Sequence, residues 1–384
     1  MQPSVVELLV QLVRCPSITS DTAVTRVALT TLADYLVEAG VAVTVSESAA
    51  GVPTLLARID GDRPGANILF QGHIDVVPVD VGWQRDPFGA VIDDGYLYGR
   101  GACDMKAGLA GFAGALKALK MSGGLDQGSV TLLVDVDEET GSDDGLIPYI
   151  AEHGLARYDW AICGEPTSLH PYLGNRGLLW VRVTVDGVAS HAGIPSAGLN
   201  PVPVAAEIVG YLSDPDRKTP SRDTDSSPLT VTTFQAGTVV NSIADKAVFT
   251  IDRRLVPGES AAGALKSITE DIAEIAAKHP RFPVSTEVIK SWPPCLIGEG
   301  SALARAAHEV SESVLGAASF GFDQACNDAS FLSEAGVPTI IWGPGDPALA
   351  HTSEEKVSLA DLASATQSYG LVIEKLKSVQ NGRT

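Results

Sequence analysis

The chain has 384 residues, 45% of them apolar, and a net charge of −20 at pH 7. That length accommodates two domains, or one with a large insertion, while so acidic a surface disfavours nucleic acid and anionic membranes as partners. No apolar run approaches the roughly 18 residues that a bilayer crossing needs, and the cysteines at 15, 103, 163, 295 and 326, odd in number and without C-x-x-C spacing, predict reduced thiols in a cytoplasmic protein.

From Ser4 to about Gly40 the apolar positions recur at intervals of three and four, predicting two helices broken by the turn CPSITS. Glu7 and Gln11 interrupt VVELLVQLV and no basic segment precedes it, so it reads as an amphipathic helix and not as a signal peptide. TLLARID and NILFQGHID predict buried strands, followed by a helix from about Lys106 to Met121. SVTLLVDVDEE and WAICGEP predict further strands. Strands alternating with helices imply an α/β fold with a mixed, mostly parallel sheet covered on both faces. Polar chemistry in such sheets collects at the carboxyl ends of the strands.

After about Arg176 the pattern changes. LLWVRVTVDGVASHAG alternates with period two, NPVPVAAEIVGYL predicts a helix, LTVTTFQAGT and KAVFTIDRRLV two strands, SAAGALKSITEDIAEIAAKH a helix and PVSTEVIK a last strand. This β-α-β-β-α-β order is a split βαβ unit of ferredoxin-like type. The polar stretch 213–228 is expected to be a surface loop within it, and SWPPCLIGEGSA a hinge back to the first domain. ALARAAHEVSESVL, TIIWGPG and LADLASATQSYGLVIEKLK then predict a helix, a strand and a helix of the main sheet domain. The expected organisation is a catalytic domain over 1–177 and 292–384, interrupted by a lid over 178–291.

Five short clusters carry the chemistry: GHID (His73, Asp75), GRGACDMK (Asp104), DEETG (Glu138, Glu139), GEPT (Glu165) and AHTSEE (His351). Alone, each has an ordinary reading: a buried imidazole held by a neighbouring Asp, a helix cap at Asp104, a solvated Glu pair. Together they offer five metal ligands, one carboxylate to orient an imidazole and one more for proton transfer. His73 and Asp75, two apart at a strand end, are expected to project to the same side. Glu138 and Glu139, adjacent in extended chain, are expected to face opposite ways, one toward metal and one toward a proton. GRGACD only superficially resembles a nucleotide-binding glycine loop, and no G-x-S-x-G elbow supports a serine nucleophile.

In this order the clusters resemble the dinuclear zinc peptidase and deacylase family that includes acetylornithine deacetylase, succinyl-diaminopimelate desuccinylase, aminoacylase and glutamate carboxypeptidase. The resemblance covers nearly the whole chain and implies a zinc-exopeptidase-like fold with a lid that serves dimerisation. It implies one zinc on His73, Asp104 and Glu165, and another on Asp104, Glu139 and His351, with cobalt or manganese able to replace zinc. Asp75 would then orient His73, and Glu138 would be the general base for hydrolysis of an amide by metal-activated water. A cis peptide between Asp104 and Met105 is implied as well. His191 would donate to the oxyanion in a partner subunit's site, and Asn241, Arg254 and Gly343 would contact substrate. Two positions depart from the desuccinylase pattern, Asn175 and Leu178 in GNRGLL, and CND replaces Ser-Asp or Thr-Asp ahead of and at Asp328. The expected function is removal of an acetyl- or succinyl-type group from an amino acid, acetylornithine deacetylase-like, by a homodimer. A carboxypeptidase or dipeptidase with the same site, and a non-catalytic metal-binding protein, are the alternatives.

Overall fold

A computed structural model describes residues 4–19, 21–48, 50–214 and 227–379. Most of the expected surface loop over 213–228 lies outside them. Contacts divide the chain into two units, one of Met1–Gly174, Leu296–Asp323 and Asn327–Thr384, the other of Asn175–Cys295 with the short return Gln324–Cys326.

The first unit is built on an eight-stranded mixed sheet. Its opening helix, Val5–Arg14, starts at a capping box in which Ser4 and Glu7 each bond the other's backbone N–H, and buries Leu8, Leu9, Leu12 and Val13. The helix ends on a side chain far along the chain: Lys106 Nζ donates to the carbonyls of Leu12 and Cys15, both at 2.9 Å. A lysine among the terminal carbonyls of a helix satisfies acceptors that the helix itself leaves open.

TLLARID and NILFQGHID form one continuous strand, Pro53–His73. Its partners on the strand Leu125–Asp135 descend from Leu55↔Val134 to Asp60↔Ser129, then climb from Asn67↔Ser129 to His73↔Asp135. The two arms therefore flank Leu125–Asp135 in opposite directions, and the second arm runs parallel to it. That arm also pairs in parallel with Trp160–Cys163, which pairs in parallel with Thr339–Ile341. Ala42–Glu47 lies antiparallel at one side and Tyr172–Asn175 is antiparallel to Thr339–Ile341. The helix Lys106–Met121 buries its first eleven residues. Phe112 stacks on Phe70 at 4.4 Å and meets Tyr369 of the helix Leu359–Leu376 at 4.3 Å. Tyr369 Oη donates to Trp342 O at 2.9 Å, so this aromatic cluster keeps its one polar atom satisfied.

The second unit has a four-stranded antiparallel sheet in the order Leu229–Ala236, Lys246–Leu255, Gly177–Asp186, Val284–Trp292. The helices Val202–Ser213 and Ala261–Ala276 cover it, with Ile268, Ile272 and Ile275 turned inward against Val181, Val183, Val185, Phe249 and Ile251. The element order is the split βαβ expected. Among the described residues no helix is long and apolar enough to cross a membrane.

Candidate metal centre

The strand Pro53–His73 ends on His73, which is 1% exposed. Because Gln71 pairs with Cys163 in the neighbouring strand, Glu165 two residues on arrives beside His73. His73 Nε2 lies 3.3 Å from Glu165 Oε1 and 3.3 Å from Asp104 Oδ1. Its other nitrogen, Nδ1, is 3.0 Å from the backbone carbonyl of Asp75 and 3.4 Å from that residue's carboxylate. A proton on Nδ1 shared with the carbonyl leaves Nε2 as a ligand atom. The Asp75 carboxylate also accepts the N–H of Glu139 at 3.4 Å.

Asp104 sits on a glycine turn in which Gly101 has φ +79°, a backbone state that favours glycine. The peptide to Met105 is cis, as the resemblance implied. The following helix takes Met105 as its cap residue without any side-chain cap bond, so the helix-cap reading of Asp104 falls. Asp104 instead turns Oδ1 to His73 and Oδ2 to His351 Nε2, at 3.3 and 3.2 Å. His351 Nε2 is also 3.1 Å from Glu139 Oε2. Two groups result, His73 with Asp104 and Glu165, and Asp104 with Glu139 and His351; within each the donor atoms lie within 4.8 Å of one another.

Glu138 and Glu139 correct one expectation. They are not in extended chain: Asp137 adopts a left-handed backbone with φ +79° and turns the chain into a short 3-10 helix, Glu138–Thr140. Successive side chains there still diverge, by about 120°, which keeps Glu138 out of both groups while Glu139 joins one.

The charges ask for cations. Burial pushes Glu165 up to about 8, with Asp104 adding to it. Burial raises Glu138 well above the carboxylate range, with Asp328, Glu165 and Glu139 adding repulsion. Burial alone would lower His73, but Asp104, Asp75 and Glu165 hold it well above its ordinary value. Asp104 and then Glu139 beside it lift His351 to about 10 against burial. Glu139 Oε1 and Asp75 Oδ1 are buried without a hydrogen-bond donor. Crowded buried carboxylates, orphaned acceptors and two imidazoles fit a pair of divalent cations. An oxygen- and nitrogen-rich set of this kind suits zinc, and also cobalt or manganese.

Other expected site residues have internal partners. Gly343 gives its N–H to Thr167 Oγ1 and accepts at its carbonyl from the N–H groups of Thr167 and Leu169. A Cβ at Gly343 would stand 2.2 Å from Gly164 O and 2.5 Å from Glu165 O, so this glycine lets the Glu165 turn lie close. In the second unit, His191 and Asn241 come together where Ser190–His191 pairs with Ser242–Ile243, and Asn241 O accepts from Ala192 N. His191 Nδ1 accepts the Gly193 N–H at 3.0 Å, which places the proton of a neutral ring on Nε2. Arg254 is held in two bonds by Asp252, at 3.0 and 3.1 Å. Asn175 is buried, its Oδ1 accepting from the Cys295 thiol and its Nδ2 donating to Arg176 O.

Sequence reading missed two features. Asp328, singled out in the sequence only for its CND context, is buried and accepts from Gln71 Nε2 at 2.8 Å and Ser142 Oγ at 2.6 Å. The hydroxyl partner is thus supplied by Ser142, from a distant part of the sequence. Gln71 also donates to Asp135, and burial followed by the charge of Asp328 raises Asp135 well above its usual range. The second feature is a buried ion pair, Arg100 Nη1 to Glu355 Oε2 at 2.6 Å. Its signal lay in the same quoted clusters, GRG and HTSEE.

The family described as Peptidase family M20/M25/M40 matches residues 69–375. The chain is similar to the succinyl-diaminopimelate desuccinylase of Gluconacetobacter diazotrophicus, 32% identical over 383 residues, 95% of each chain. It is 37% identical over 287 residues to that of Cereibacter sphaeroides, covering 71% of this chain and 73% of the relative. Its fold matches an M20 family metallo-carboxypeptidase, Sso-CP2 from Sulfolobus solfataricus, with a TM-score of 0.82 at 21% identity over 98% of this chain and 99% of the other.

Proposed function

The chain belongs to peptidase family M20/M25/M40 and is a metallohydrolase of amide bonds, and from that premise we propose that it removes an N-acyl group, succinyl or acetyl, from an amino acid. The observation that carries the reading is Asp104, whose two oxygens face two imidazoles while the buried Glu138 stays outside both groups. His73, Asp104 and Glu165 would hold one divalent cation, and Asp104, Glu139 and His351 the other. When bound, such a pair polarises a carbonyl and acidifies water.

Glu138 accepts the proton of the water that attacks the amide carbon, and returns it to the nitrogen as the C–N bond breaks. Buried beside both groups and a member of neither, its carboxylate is available for both halves of that task. Asp75 fixes the ring of His73 and, through Glu139 N–H, the turn that carries the base. His191, with a proton on Nε2, is the proposed donor to the oxyanion, delivered from a second copy of the chain. Arg254 and Asn241 are the proposed contacts for a substrate carboxylate, which in the case of Arg254 requires exchange with Asp252.

The desuccinylase relatives favour a succinyl over an acetyl group, and the five free cysteines support a reducing, cytoplasmic setting. Metal-quantified protein offered N-succinyl, N-acetyl and N-formyl amino acids alongside dipeptides, with amine release as the readout, tests the proposal. Turnover of the acylated amino acids is expected; cleavage of dipeptides alone would overturn it in favour of a peptidase.

A further inference from the structure

The Arg100–Glu355 pair takes no part in the chemistry just proposed, yet both residues are 1% exposed. Such a pair is seldom more stabilising than two apolar side chains of the same volume, because both charges leave water. What it connects gives it a purpose. Glu355 Oε1 accepts the N–H groups of Cys103 and Asp104, at 3.1 and 3.2 Å, and so holds the turn that presents Asp104. The guanidinium reaches the other way, Nη2 to the carbonyl of His351 at 3.4 Å and Nη1 to that of Thr352 at 3.5 Å. The backbone joins the same knot, since Gly99 N donates to Glu355 O at 3.1 Å. Trp83 lies against the guanidinium, 5.3 Å from ring centre to Cζ.

We propose that Arg100 and Glu355 are positioning residues that lock the turn of His351 to the turn of Asp104, and thereby set the affinity of the Asp104–Glu139–His351 subsite without touching metal or substrate. The inference rests on the two-cation reading above. His73 and Glu165 need no such tie, because paired strands bring them together. An arginine is required, since its planar fork reaches a carboxylate and two carbonyls from two separate nitrogens, whereas the donors of a lysine all radiate from one nitrogen.

The test is metal titration of metal-free protein against a competing chelator, with Co2+ as the probe, for wild type, Arg100→Met, Arg100→Lys and Glu355→Gln. Thermal melting of the metal-free forms accompanies it. Loss of an outer-shell partner costs about 10–100-fold in metal affinity. The second equivalent is expected to weaken by about 10–100-fold in both Arg100 variants, and the first, which has Asp104 in common with it, by clearly less. Glu355→Gln should fall between, because its amide oxygen still accepts from Cys103 and Asp104. Equal weakening of both equivalents, or of neither, would overturn the inference. Should Arg100→Met fail to fold, Glu355→Gln, which keeps the volume, decides by the same split. Wild type binding a single equivalent would sink the two-cation reading and this inference with it; two equivalents in wild type and no split in the variants sinks the inference alone.

Discussion

The two candidate ligand groups share Asp104 but are built from different material. His73 closes a strand hydrogen-bonded on both sides, Glu165 follows a fully buried one, and their side chains are 1% and 9% exposed. His351 sits in a left-handed backbone with φ +62°, just past the short 3-10 helix Pro347–Leu349, and its side chain is 53% exposed. Glu139 belongs to a turn. A ligand at the end of a packed strand inherits its position from the sheet, whereas a ligand on a loop must be tied in place by side chains. The ties are visible: Asp75 holds Glu139 N–H, and Arg100 holds the His351 carbonyl.

The largest effect should come from the residue in neither group. Glu138→Gln is expected to lower kcat by about 10²–10⁴-fold with two metal equivalents retained; loss of metal instead would make Glu138 a ligand and blur the two groups. His73→Ala and His351→Ala should each lose one equivalent, and their stabilities should differ. Removing the buried imidazole of His73 should destabilise the metal-free protein by about 1–3 kcal/mol, while removing the exposed ring of His351 should cost under about 1 kcal/mol. Equal losses in denaturant titrations would erase the contrast between strand and loop. Dialysis against a chelator should empty the His351 group first, visible as a plateau at one equivalent; simultaneous loss would refute it.

The smallest effect is a pH slope. Without metal, Glu165, raised to about 8, and His351, raised to about 10, keep protons in the folded state that the unfolded chain has given up near neutrality. The folded state then binds more protons, so stability falls as pH rises from about 6.5 to 8. Metal-loaded protein, whose ligands have already lost those protons, should show a flatter slope. Melting with and without chelator at the two pH values measures the difference.

Much of this is legible in the sequence. His73 and Glu165 announce themselves because apolar strand runs stop just before them, and the split βαβ order of the second unit reads directly from its alternating periods. The turn at Glu138 was not legible, since Asp137 takes up a positive φ that an aspartate tolerates but does not advertise. The pass of Pro53–His73 along both sides of Leu125–Asp135 was equally hidden, because a buried arm looks the same in either direction. Arg100 and Glu355 were overlooked because charged residues in glycine-rich or polar turns ordinarily face water. Partners 255 positions apart leave no local trace of their pairing.

The interruption of the first unit has a consequence for synthesis. A ribosome completes the second unit's sheet, up to Trp292, before it makes Thr339–Ile341 or Tyr369, without which Trp160–Cys163 lacks one of its two neighbours and Phe112 one of its two aromatic partners. The inserted unit can therefore mature while its host still waits for its last helix. A nascent chain arrested near residue 335, far enough on for Val284–Trp292 to have left the ribosome, should protect Gly177–Asp186 from protease and leave Lys106–Met121 open to it.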